Sequence, residues 1–432
     1  MMRWKEMELA GWGRALKSTA AVARPERRSA LAGAAAPAIG NRRSYGDAAL
    51  NGGGKVIDMT RLDRVLELEA ATGLLRVEAG ARIGELAQLL APRGWLPAVM
   101  PGTGFATVGG CIAMDVHGKN HHGAGSFGMH LAEIELIVGG EARPIGPDDP
   151  LWRATIGGLG QTGIITAATL RLIPAKGRTM RVREQRVEGW DEHIALLDSS
   201  DASYTVGWID ATATGARLGR GILEEGEISD ASLPPAGRSR KVPLDAPGFA
   251  LSSPVVRVFN AAYYARVPAQ GRTVTRAQAD FFFPLDRIHD WNRLYGKRGF
   301  HQFQCVVPPA QKDALRDMLR AIAQSGLASP LAVLKRMGPG RAGMLSFPME
   351  GYTLAVDFPN RAAARSLIAA LEDLAIAAEG RIYFAKDSLA GAAQVRAMYP
   401  ELADWQAAVS AADPDRALET DIVRRLRLRD PA

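Results

Sequence analysis

The stretch Pro101–Gly128, PGTGFATVGGCIAMDVHGKNHHGAGSFG, contains eight glycines, three histidines and one lysine. So many glycines do not fill a core, because each one costs backbone entropy and is useful only at a sharp bend or beside a ligand. Thr107 is predicted to be the N-cap of a short helix that begins at Val108. A glycine-rich turn before a helix offers free backbone N–H groups to a phosphate. The stretch therefore predicts an anion site beside the titratable segment His117–His122.

Two more glycine-bearing turns occur in the same part of the chain. They are Gly40–Gly46 (GNRRSYG) and Gly157–Gly163 (GGLGQTG). None of the three matches the P-loop, and neither the Gly40–Gly46 turn nor the turn at Gly102–Gly110 of the opening stretch matches the G-x-G-x-x-G fingerprint. Three such turns separated by strands and helices favour one long ligand, such as a dinucleotide, over three unrelated structural turns.

The bulk composition is that of a globular protein with two or more domains, since the chain has 432 residues. It contains no apolar run long enough to predict a transmembrane helix, and its N-terminus has no apolar segment typical of a secretory signal. Its two cysteines, Cys111 and Cys305, favour a reducing, cytoplasmic location. The net charge of +7 favours phosphates or an anionic membrane surface as partners. Nucleic acid is disfavoured, because no recognition motif accompanies the charge.

The pattern of secondary structure changes near Pro174–Gly177. Short strands and helices precede this segment, and longer ones follow it, including the helices predicted at Gln311–Ser325 and Arg361–Glu379. This alternation predicts an α+β region with helices on one face of a largely antiparallel sheet. We also expect a mobile loop at Glu224–Pro247 and a helix within Asp413–Arg429. The predicted strands are Lys55–Thr60, Leu74–Ala79, Ile164–Ile173, Phe300–Val307, Leu331–Lys335, Thr353–Phe358 and Arg381–Lys386.

A metal site is not favoured by the histidines of the opening stretch. Zinc usually takes three or four ligands at regular spacing, and here only Asp115 and Cys111 lie near the histidines in the sequence. Gln302 and Gln304 would share one face of a strand, which makes them either ligand contacts or part of a solvated face.

Several motifs together resemble the FAD-dependent decaprenylphosphoryl-β-D-ribose 2-oxidases, a branch of the vanillyl-alcohol-oxidase-type flavoenzymes. The resemblance covers nearly the whole chain, and the segment HGKNHH followed by GSFG is its most specific part. The other segments are GWGR (11–14), RSYGDAALNGGGKVIDMT (43–60), GGLGQTGIITAATLRLIP (157–174), HDWNRLYGKRGFHQFQCVVP (289–308), RIYFAKDS (381–388), AMYPELADW (397–405) and DIVRRLRL (421–428).

The resemblance implies a PCMH-type FAD-binding domain in two α+β parts. Residues 1–176 would form this domain, an inserted α+β substrate domain built on a largely antiparallel sheet would cover 177–380, and residues 381–432 would return to the FAD domain. Tyr45 stands where many relatives carry the histidine that bonds covalently to the flavin, so non-covalent FAD is expected.

The resemblance also implies the residues of the site. Lys386 is expected to be required for catalysis, as a base or an electrostatic anchor, with His117 and Lys119 beside it, and no metal is expected. Contacts to FAD are expected from Gly40, Arg43, Ser44, Tyr45, Gly46, Gly102, Thr103, Thr107, Gly109, Gly110, Asn120, Gly163 and Ile164. Contacts to substrate are expected from Trp208, Phe282, Gln302, Gln304, Lys335 and Thr353.

The implied reaction is oxidation of the ribose 2-hydroxyl of a polyprenylphosphoryl sugar, a precursor of cell-wall polysaccharide. It would be the first half of an epimerisation that a separate NAD(P)H-dependent ketoreductase completes, with peripheral contact to a membrane. A soluble sugar, alditol or aldonolactone oxidase that produces hydrogen peroxide is the alternative. A non-catalytic binder of lipid phosphate is a second alternative.

This chain departs from the family pattern around the implied substrate. Phe282 replaces a common tyrosine, Thr353 an asparagine, and Ala355 the pocket cysteine of actinobacterial members. Arg42 replaces a glycine in the first flavin loop, and the segment before it is shorter than in relatives. The substrate is therefore less firmly implied than the cofactor.

Overall fold

The computed structural model describes residues 2–235 and 237–430 and contains three main sheets. The first sheet has the strand order β1-β2-β4-β3, in which β1 and β2 are antiparallel while β4 runs parallel to both β2 and β3. Val22 and Val56, which pair with each other across β2 and β4, are both buried. Its strands are β1 (Lys5–Ala10), β2 (Lys17–Ala23), β3 (Ala38–Ile39) and β4 (Lys55–Asp58).

The second sheet is antiparallel, in the order β5-β6-β10-β8-β9, and β7 pairs with the far end of β10. Its hairpin turns at Gly139 and Gly140, whose φ values of 58° and 87° suit glycine. Its strands are β5 (Val65–Glu69), β6 (Leu74–Glu78), β7 (Trp95–Pro97), β8 (Leu131–Val138), β9 (Glu141–Ile145) and β10 (Ile164–Pro174). The helices in this part are α1 (Ile83–Leu90), α2 (Val108–Ala113), α3 (His121–Ala124) and α4 (Trp152–Thr155).

The third sheet is antiparallel and eight-stranded, in the order β15-β11-β13-β12-β18-β19-β17-β20. A separate parallel pair joins β14 to β16. The strands are β11 (Thr179–Val187), β12 (Tyr204–Ile209), β13 (Gly221–Ser229), β14 (Arg240–Lys241), β15 (Arg272–Ala277), β16 (Ile288–His289), β17 (Phe300–Val307), β18 (Ala332–Met337), β19 (Gly351–Pro359) and β20 (Arg381–Ile382).

Two helices cover one face of this third sheet with apolar side chains spaced at helical intervals. Leu315, Met318 and Ile322 of one helix and Ile368 and Leu371 of the other are buried in a single core. The α+β fold predicted from the sequence is thereby confirmed. The helices are α5 (Trp190–Ser199), α6 (Ser253–Ala265), α7 (Gln278–Phe282), α8 (Lys312–Ser325) and α9 (Ala362–Ala377), followed by α10 (Ala392–Met398), α11 (Leu402–Ala412) and α12 (Asp421–Arg425). Short 3-10 turns lie at Arg28–Leu31, Met59–Arg61, Ala91–Arg93, Phe127–His130, Gly215–Arg217, Gly248–Leu251, Trp291–Tyr295 and Pro309–Gln311.

The C-terminal segment packs against the first 176 residues. Arg425 makes a two-pronged ion pair with Asp47, with both N–O distances 2.8 Å. The indole N–H of Trp405 donates to the carbonyl of Ala154 at 3.1 Å, and both groups are buried. Within residues 2–235 and 237–430, no helix has the length and apolarity needed to cross a bilayer.

Three predicted elements differ from the structure. The strand predicted at Arg381–Lys386 ends at Ile382. Lys386 lies on a turn in which its own backbone N–H donates to the carbonyl of Tyr383 at 2.8 Å. The predicted loop at Glu224–Pro247 is wrong at its start, because β13 continues to Ser229 by pairing with β11. The predicted helix at 413–429 is reduced to α12, because the Asp413 carboxylate accepts the N–H groups of residues 417 and 418 and folds a turn.

Candidate active site

One large cavity of about 1060 Å³ lies where the glycine-bearing turns meet the third sheet. It exceeds the range of about 300–1,000 Å³ that is typical of small-molecule sites. Many residues implied by the resemblance line it: Gly40, Arg43, Ser44, Tyr45, Gly102, Thr103, Thr107, Gly110, His117, Lys119, Trp208, Phe282, Gln302, Gln304, Lys335 and Lys386. The fold thus brings together side chains that are more than 300 positions apart in the sequence, such as Ser44 and Lys386.

Six expected contact residues do not line this cavity: Gly46, Gly109, Asn120, Gly163, Ile164 and Thr353. Close packing explains the glycines. A Cβ on Gly46 would lie 2.0 Å from the carbonyl oxygen of Asp387, and one on Gly109 would lie 3.0 Å from the Cβ of Ala79. A Cβ on Gly163 would lie 2.4 Å from the carbonyl oxygen of Ile137.

The other three residues are engaged within the fold. The amide of Asn120 donates to the carbonyl of Ala98 at 2.8 Å, and both groups are buried. Ile164 pairs with Ile137 between β10 and β8. Thr353 is 1% exposed and lies behind Gln304.

The N-terminus of α2 does not offer free donors, contrary to the expectation from the sequence. The N–H of Val108 bonds to the carbonyl of Ala81 at 2.9 Å, and that of Gly109 bonds to the carbonyl of Ala79 at 2.8 Å. The predicted N-cap is confirmed, because the hydroxyl of Thr107 accepts from the N–H of Gly110 at 3.2 Å. The first two N–H groups fasten α2 to the turn that follows β6, and the third closes the cap, so all three are already bonded within the protein.

The turn just before α2 is held by a carboxylate from the segment between α7 and β16. The Thr103 hydroxyl and the Gly104 N–H both donate to Asp286, at 2.8 and 2.7 Å. Burial raises the pKa of Asp286, and these two donors oppose that shift. Gly102, Thr103 and Asp286 all line the cavity, so the two segments form neighbouring parts of one wall.

The Gly40–Gly46 turn, here called the first glycine turn, and Gly102 of the second turn supply features that fit the diphosphate of FAD. The Arg43 guanidinium lies over two aromatic rings, 4.2 Å from the centroid of Trp12 and 4.6 Å from that of Phe105. Its Nε is buried without a hydrogen-bond partner. A Cβ placed on Gly102 would meet nothing within 4 Å and would point into open space. An unsatisfied cationic N–H and an open backbone position on one cavity wall suit an anion.

Lys386 lies beside an aromatic ring and a buried carboxylate. Its Nζ is 3.6 Å from the centroid of the Tyr45 ring. Burial lowers the pKa of Lys386, and the charge of Asp357 opposes that shift. Asp357 is fully buried and accepts hydrogen bonds from the Gln302 amide and, at 3.1 Å, from the Tyr295 hydroxyl. Burial raises the pKa of Asp357. The Gln302 hydrogen bond, the charge of Lys386 and the Tyr295 hydrogen bond oppose that rise, so Asp357 and Lys386 each favour the charged form of the other.

A second lysine contacts a histidine in the same cavity. The Nζ of Lys335 lies 3.0 Å from Nδ1 of His117, and the Gln304 amide lies 3.2 Å from Nε2 of the same ring. Burial, together with the charges of Lys119 and Lys386, lowers the pKa of Lys335 to about 7. Burial and Lys335 together push the pKa of His117 well below its usual value. Lys335 and His117 together therefore carry at most one positive charge near pH 7.

Lys119 is the third lysine of the cavity wall, and it is partly buried. It donates to the carbonyl of Phe281 at 2.5 Å and lies 3.9 Å from the centroid of that ring. Burial lowers its pKa to about 8, and Glu224, 4.0 Å away, opposes the shift. All three lysines line the same cavity.

The sequence did not single out Asp357 or Asp286. The alternation of side chains along a strand could have indicated Asp357, because it lies two positions after Ala355 and therefore on the same face. Asp357 also pairs with Gln302 across β17 and β19. Asp286 lies in an irregular segment, and nothing in its spacing connects it to Thr103. Among the described residues, no three His, Cys, Asp or Glu side chains converge as a metal site.

Comparisons with known proteins agree with this geometry. Residues 16–141 match the family model described as "FAD binding domain". The chain is 37% identical to decaprenylphosphoryl-β-D-ribose oxidase from Mycolicibacterium smegmatis, over 97% of each chain. It is 32% identical to an uncharacterized protein of Streptomyces coelicolor, over 79% of this chain and 99% of that one. It is 23% identical to L-gulono-1,4-lactone dehydrogenase of Mycobacterium tuberculosis, over 90% of this chain and 89% of that one.

Proposed function

Since the chain belongs to the FAD-dependent decaprenylphosphoryl-β-D-ribose oxidase family, we propose that it oxidises the 2-hydroxyl of a polyprenylphosphoryl-β-D-ribose to a ketone. The observation that carries this proposal is the single cavity that joins the glycine turns to Lys386, Lys335, His117 and Lys119. Its volume of about 1060 Å³ allows a dinucleotide and a sugar phosphate to lie end to end.

Bound FAD supplies the acceptor for a hydride from the carbinol carbon. The carbinol proton must leave at the same time, because a ketone forms only when both are lost. Lys386 is held beside Tyr45 and Asp357, where it either takes that proton as a neutral amine or binds the oxygen as a cation. The Lys335–His117 contact offers a second place for the proton, since one nitrogen of each group is within hydrogen-bond distance of the other.

The cofactor is held by the first two glycine turns and by Arg43. Tyr45 cannot form the imidazole bond to flavin that a histidine forms, so the FAD is non-covalent. Acid precipitation of the purified protein tests this point. Yellow colour released into the supernatant is the expected result, and colour retained in the pellet would contradict it.

The finer assignments follow the same proposal. Residues 1–176 together with 381–432 hold FAD, and residues 177–380 hold the substrate. This division is supported by the Arg425–Asp47 ion pair and the Trp405–Ala154 hydrogen bond, which join the C-terminal segment to the first part of the chain. The keto sugar would be the substrate of a separate NAD(P)H-dependent ketoreductase. The lipid tail of the substrate implies work at a membrane surface.

An anaerobic flavin titration tests the reaction. Polyprenylphosphoryl ribose should bleach the flavin absorbance in the absence of oxygen, because hydride transfer needs no second acceptor. Free ribose, arabinitol and an aldonolactone serve as comparison substrates. Bleaching only by these soluble compounds would overturn the proposal.

A soluble sugar or lactone oxidase is the second candidate. Two observations favour it: the departures at Phe282, Thr353 and Ala355, and the likeness to a lactone dehydrogenase over 90% of the chain. Phe282 and Ala355 line the cavity, and Thr353 bonds to Gln304, which lines it. Production of hydrogen peroxide from a soluble sugar in air would support this candidate.

A further inference from the structure

A group of charged side chains on the third sheet lies at one end of the cavity. Arg266, Arg276, Lys119 and Glu224 line this end, and Glu184 lies directly behind them. Arg266 donates to Glu184 at 2.7 Å and to Glu224 at 3.3 Å. Arg276 donates to Glu224 at 3.0 Å and also bonds to Glu184. These contacts fix both guanidinium groups against the cavity wall.

The charges in this group do not balance. The cations Lys119, Arg266, Arg272 and Arg276 face only the two carboxylates Glu184 and Glu224, which leaves two positive charges in excess. Asp280, the other nearby acid on the wall, is paired with Arg287. Excess positive charge in a partly enclosed site attracts an anion. Guanidinium groups match the oxygens of a phosphate better than an ammonium does.

An aromatic track runs from the same end of the cavity to the protein surface. Trp208 and Tyr263, both on the cavity wall, have ring centroids 4.7 Å apart. Tyr263 stacks on Phe259 at 6.0 Å, and Phe259 is 50% exposed. The Arg266 guanidinium lies 4.4 Å from the Tyr263 centroid. The arginine cluster and the aromatic track therefore meet at one point.

Helix α6 presents apolar side chains to solvent, the reverse of the usual arrangement for a surface helix. Val255 and Val258 are 45% and 72% exposed and lie on the same side as Phe259. On the inner side, Asn260 is fully buried and donates to Asp210 at 2.7 Å. This exposed strip is continuous, through Phe259 and Tyr263, with the cavity wall.

We propose that Arg266 and Arg276, with Lys119, bind the phosphodiester of an amphipathic substrate, and that Trp208, Tyr263 and Phe259 bind the first isoprene units of its tail. Because the anion site and the apolar track are adjacent, together they fit a single ligand in which a phosphate is attached to an apolar chain. The identity of the sugar rests on the proposed function, whereas the phosphate and tail subsites do not require turnover.

Arg276→Gln tests the phosphate subsite. Loss of one charge-assisted hydrogen bond costs about 1.5–3 kcal/mol, which corresponds to roughly a 10- to 150-fold rise in KM for polyprenylphosphoryl ribose. FAD content and kcat should change little. Arg183→Gln is the matched control, because Arg183 lies on β11 of the same sheet but is absent from the cavity wall and is 66% exposed. Arg276→Lys keeps the positive charge and should recover part of the substrate affinity that Arg276→Gln loses. Such a recovery would show that the loss comes from the charge and not from misfolding.

Two outcomes would overturn the phosphate subsite. One is an unchanged KM in Arg276→Gln. The other is an equal loss toward an alkyl riboside that lacks phosphate, which would indicate a structural role. Farnesyl phosphate, titrated against the flavin absorbance, separates this proposal from the proposed function. Binding that weakens in Arg276→Gln supports the subsite even if no ribose substrate is oxidised, and binding that does not weaken contradicts it.

Phe259→Ser tests the tail subsite. It should raise KM more for a long polyprenyl tail than for a two-isoprene tail, while Leu244→Ser, at an exposed apolar position outside the cavity wall, should not. Equal effects on both tails would contradict the tail subsite. If the parent protein self-associates and Phe259→Ser reduces that association, without dependence on tail length, the strip joins two copies of the chain, which would also contradict the tail subsite.

Discussion

The ammonium group of Lys386 lies 3.6 Å from the centroid of the Tyr45 ring, and the N–H of Tyr45 bonds to the carbonyl of Ala385 at 2.8 Å. The first glycine turn and the turn that carries Lys386 are thus fastened to each other by backbone and side chain. The ring attracts the charged form of the lysine by about 0.5–2 kcal/mol, while burial favours the neutral form. This balance places Lys386 where a small change in its surroundings alters its protonation.

Replacement of Lys386 by Met should abolish most of the activity without loss of FAD. Met keeps the length and apolar body of the side chain but can neither accept a proton nor carry charge. Groups that act as general bases contribute roughly 10²–10⁴-fold, so flavin reduction by substrate should slow by about that factor. Stopped-flow absorbance under anaerobic conditions measures the rate. The exposed Lys312→Met is the control, and a rate within twofold of the parent's in Lys386→Met would contradict the assignment.

Asp357→Asn should shift the pH profile of flavin reduction to lower pH. The carboxylate raises the pKa of Lys386, so its removal at constant shape lets that pKa fall further. If the neutral amine is the reactive form, the acidic limb of the profile moves to lower pH. If the cation is the reactive form, the basic limb of the profile moves to lower pH instead. The profile therefore distinguishes base from anchor, and a profile with neither limb moved would show that Asp357 does not act on Lys386.

The Lys335→Met variant of the FAD-free protein should be more stable than the parent near neutral pH. The folded-state pKa of Lys335 is about 7, below its ordinary 10.5. Between these values the unfolded chain binds more protons, so the parent's free energy of unfolding rises with pH through this interval. The variant lacks this contribution. Its advantage in Tm should be roughly 5 °C near pH 7, and thermal scans should show it shrinking toward pH 10. An advantage that is independent of pH would mean that Lys335 is not desolvated.

Motifs with local geometry were the easiest parts to predict from the sequence. The Thr107 cap and the apolar faces of α8 and α9 follow from spacing alone, because each depends on neighbours within a few residues. The shared face of Gln302 and Gln304 is of the same kind, and both residues line the cavity.

Features that depend on distant partners were harder to predict. The strand predicted through Lys386 ends early because the carbonyl of Ala385 accepts a hydrogen bond from the backbone N–H of Tyr45, more than 300 residues away in the sequence. The donors of α2 are unavailable because Ala79 and Ala81 of another segment already accept them. Asp286 reaches Thr103 from an irregular segment that has no periodicity to interpret. In each case the missing information is a tertiary contact and not a local preference.

Gly102→Leu should prevent FAD binding and leave the FAD-free protein folded. A Cβ at Gly102 meets nothing within 4 Å, and the position lines the cavity, so a leucine side chain would fill the space assigned to the diphosphate. The backbone there is not in the left-handed region, so the substitution adds no conformational strain. Gly123→Leu is the matched control, since its Cβ also meets nothing but it is exposed and absent from the cavity wall. Absorbance of the purified proteins and FAD titration of the stripped forms measure binding. We expect an affinity loss of at least about 100-fold, or 2.7 kcal/mol, for Gly102→Leu alone. Normal flavin content in this variant would show that the diphosphate lies elsewhere, whereas loss of flavin in both variants would trace the effect to general destabilisation.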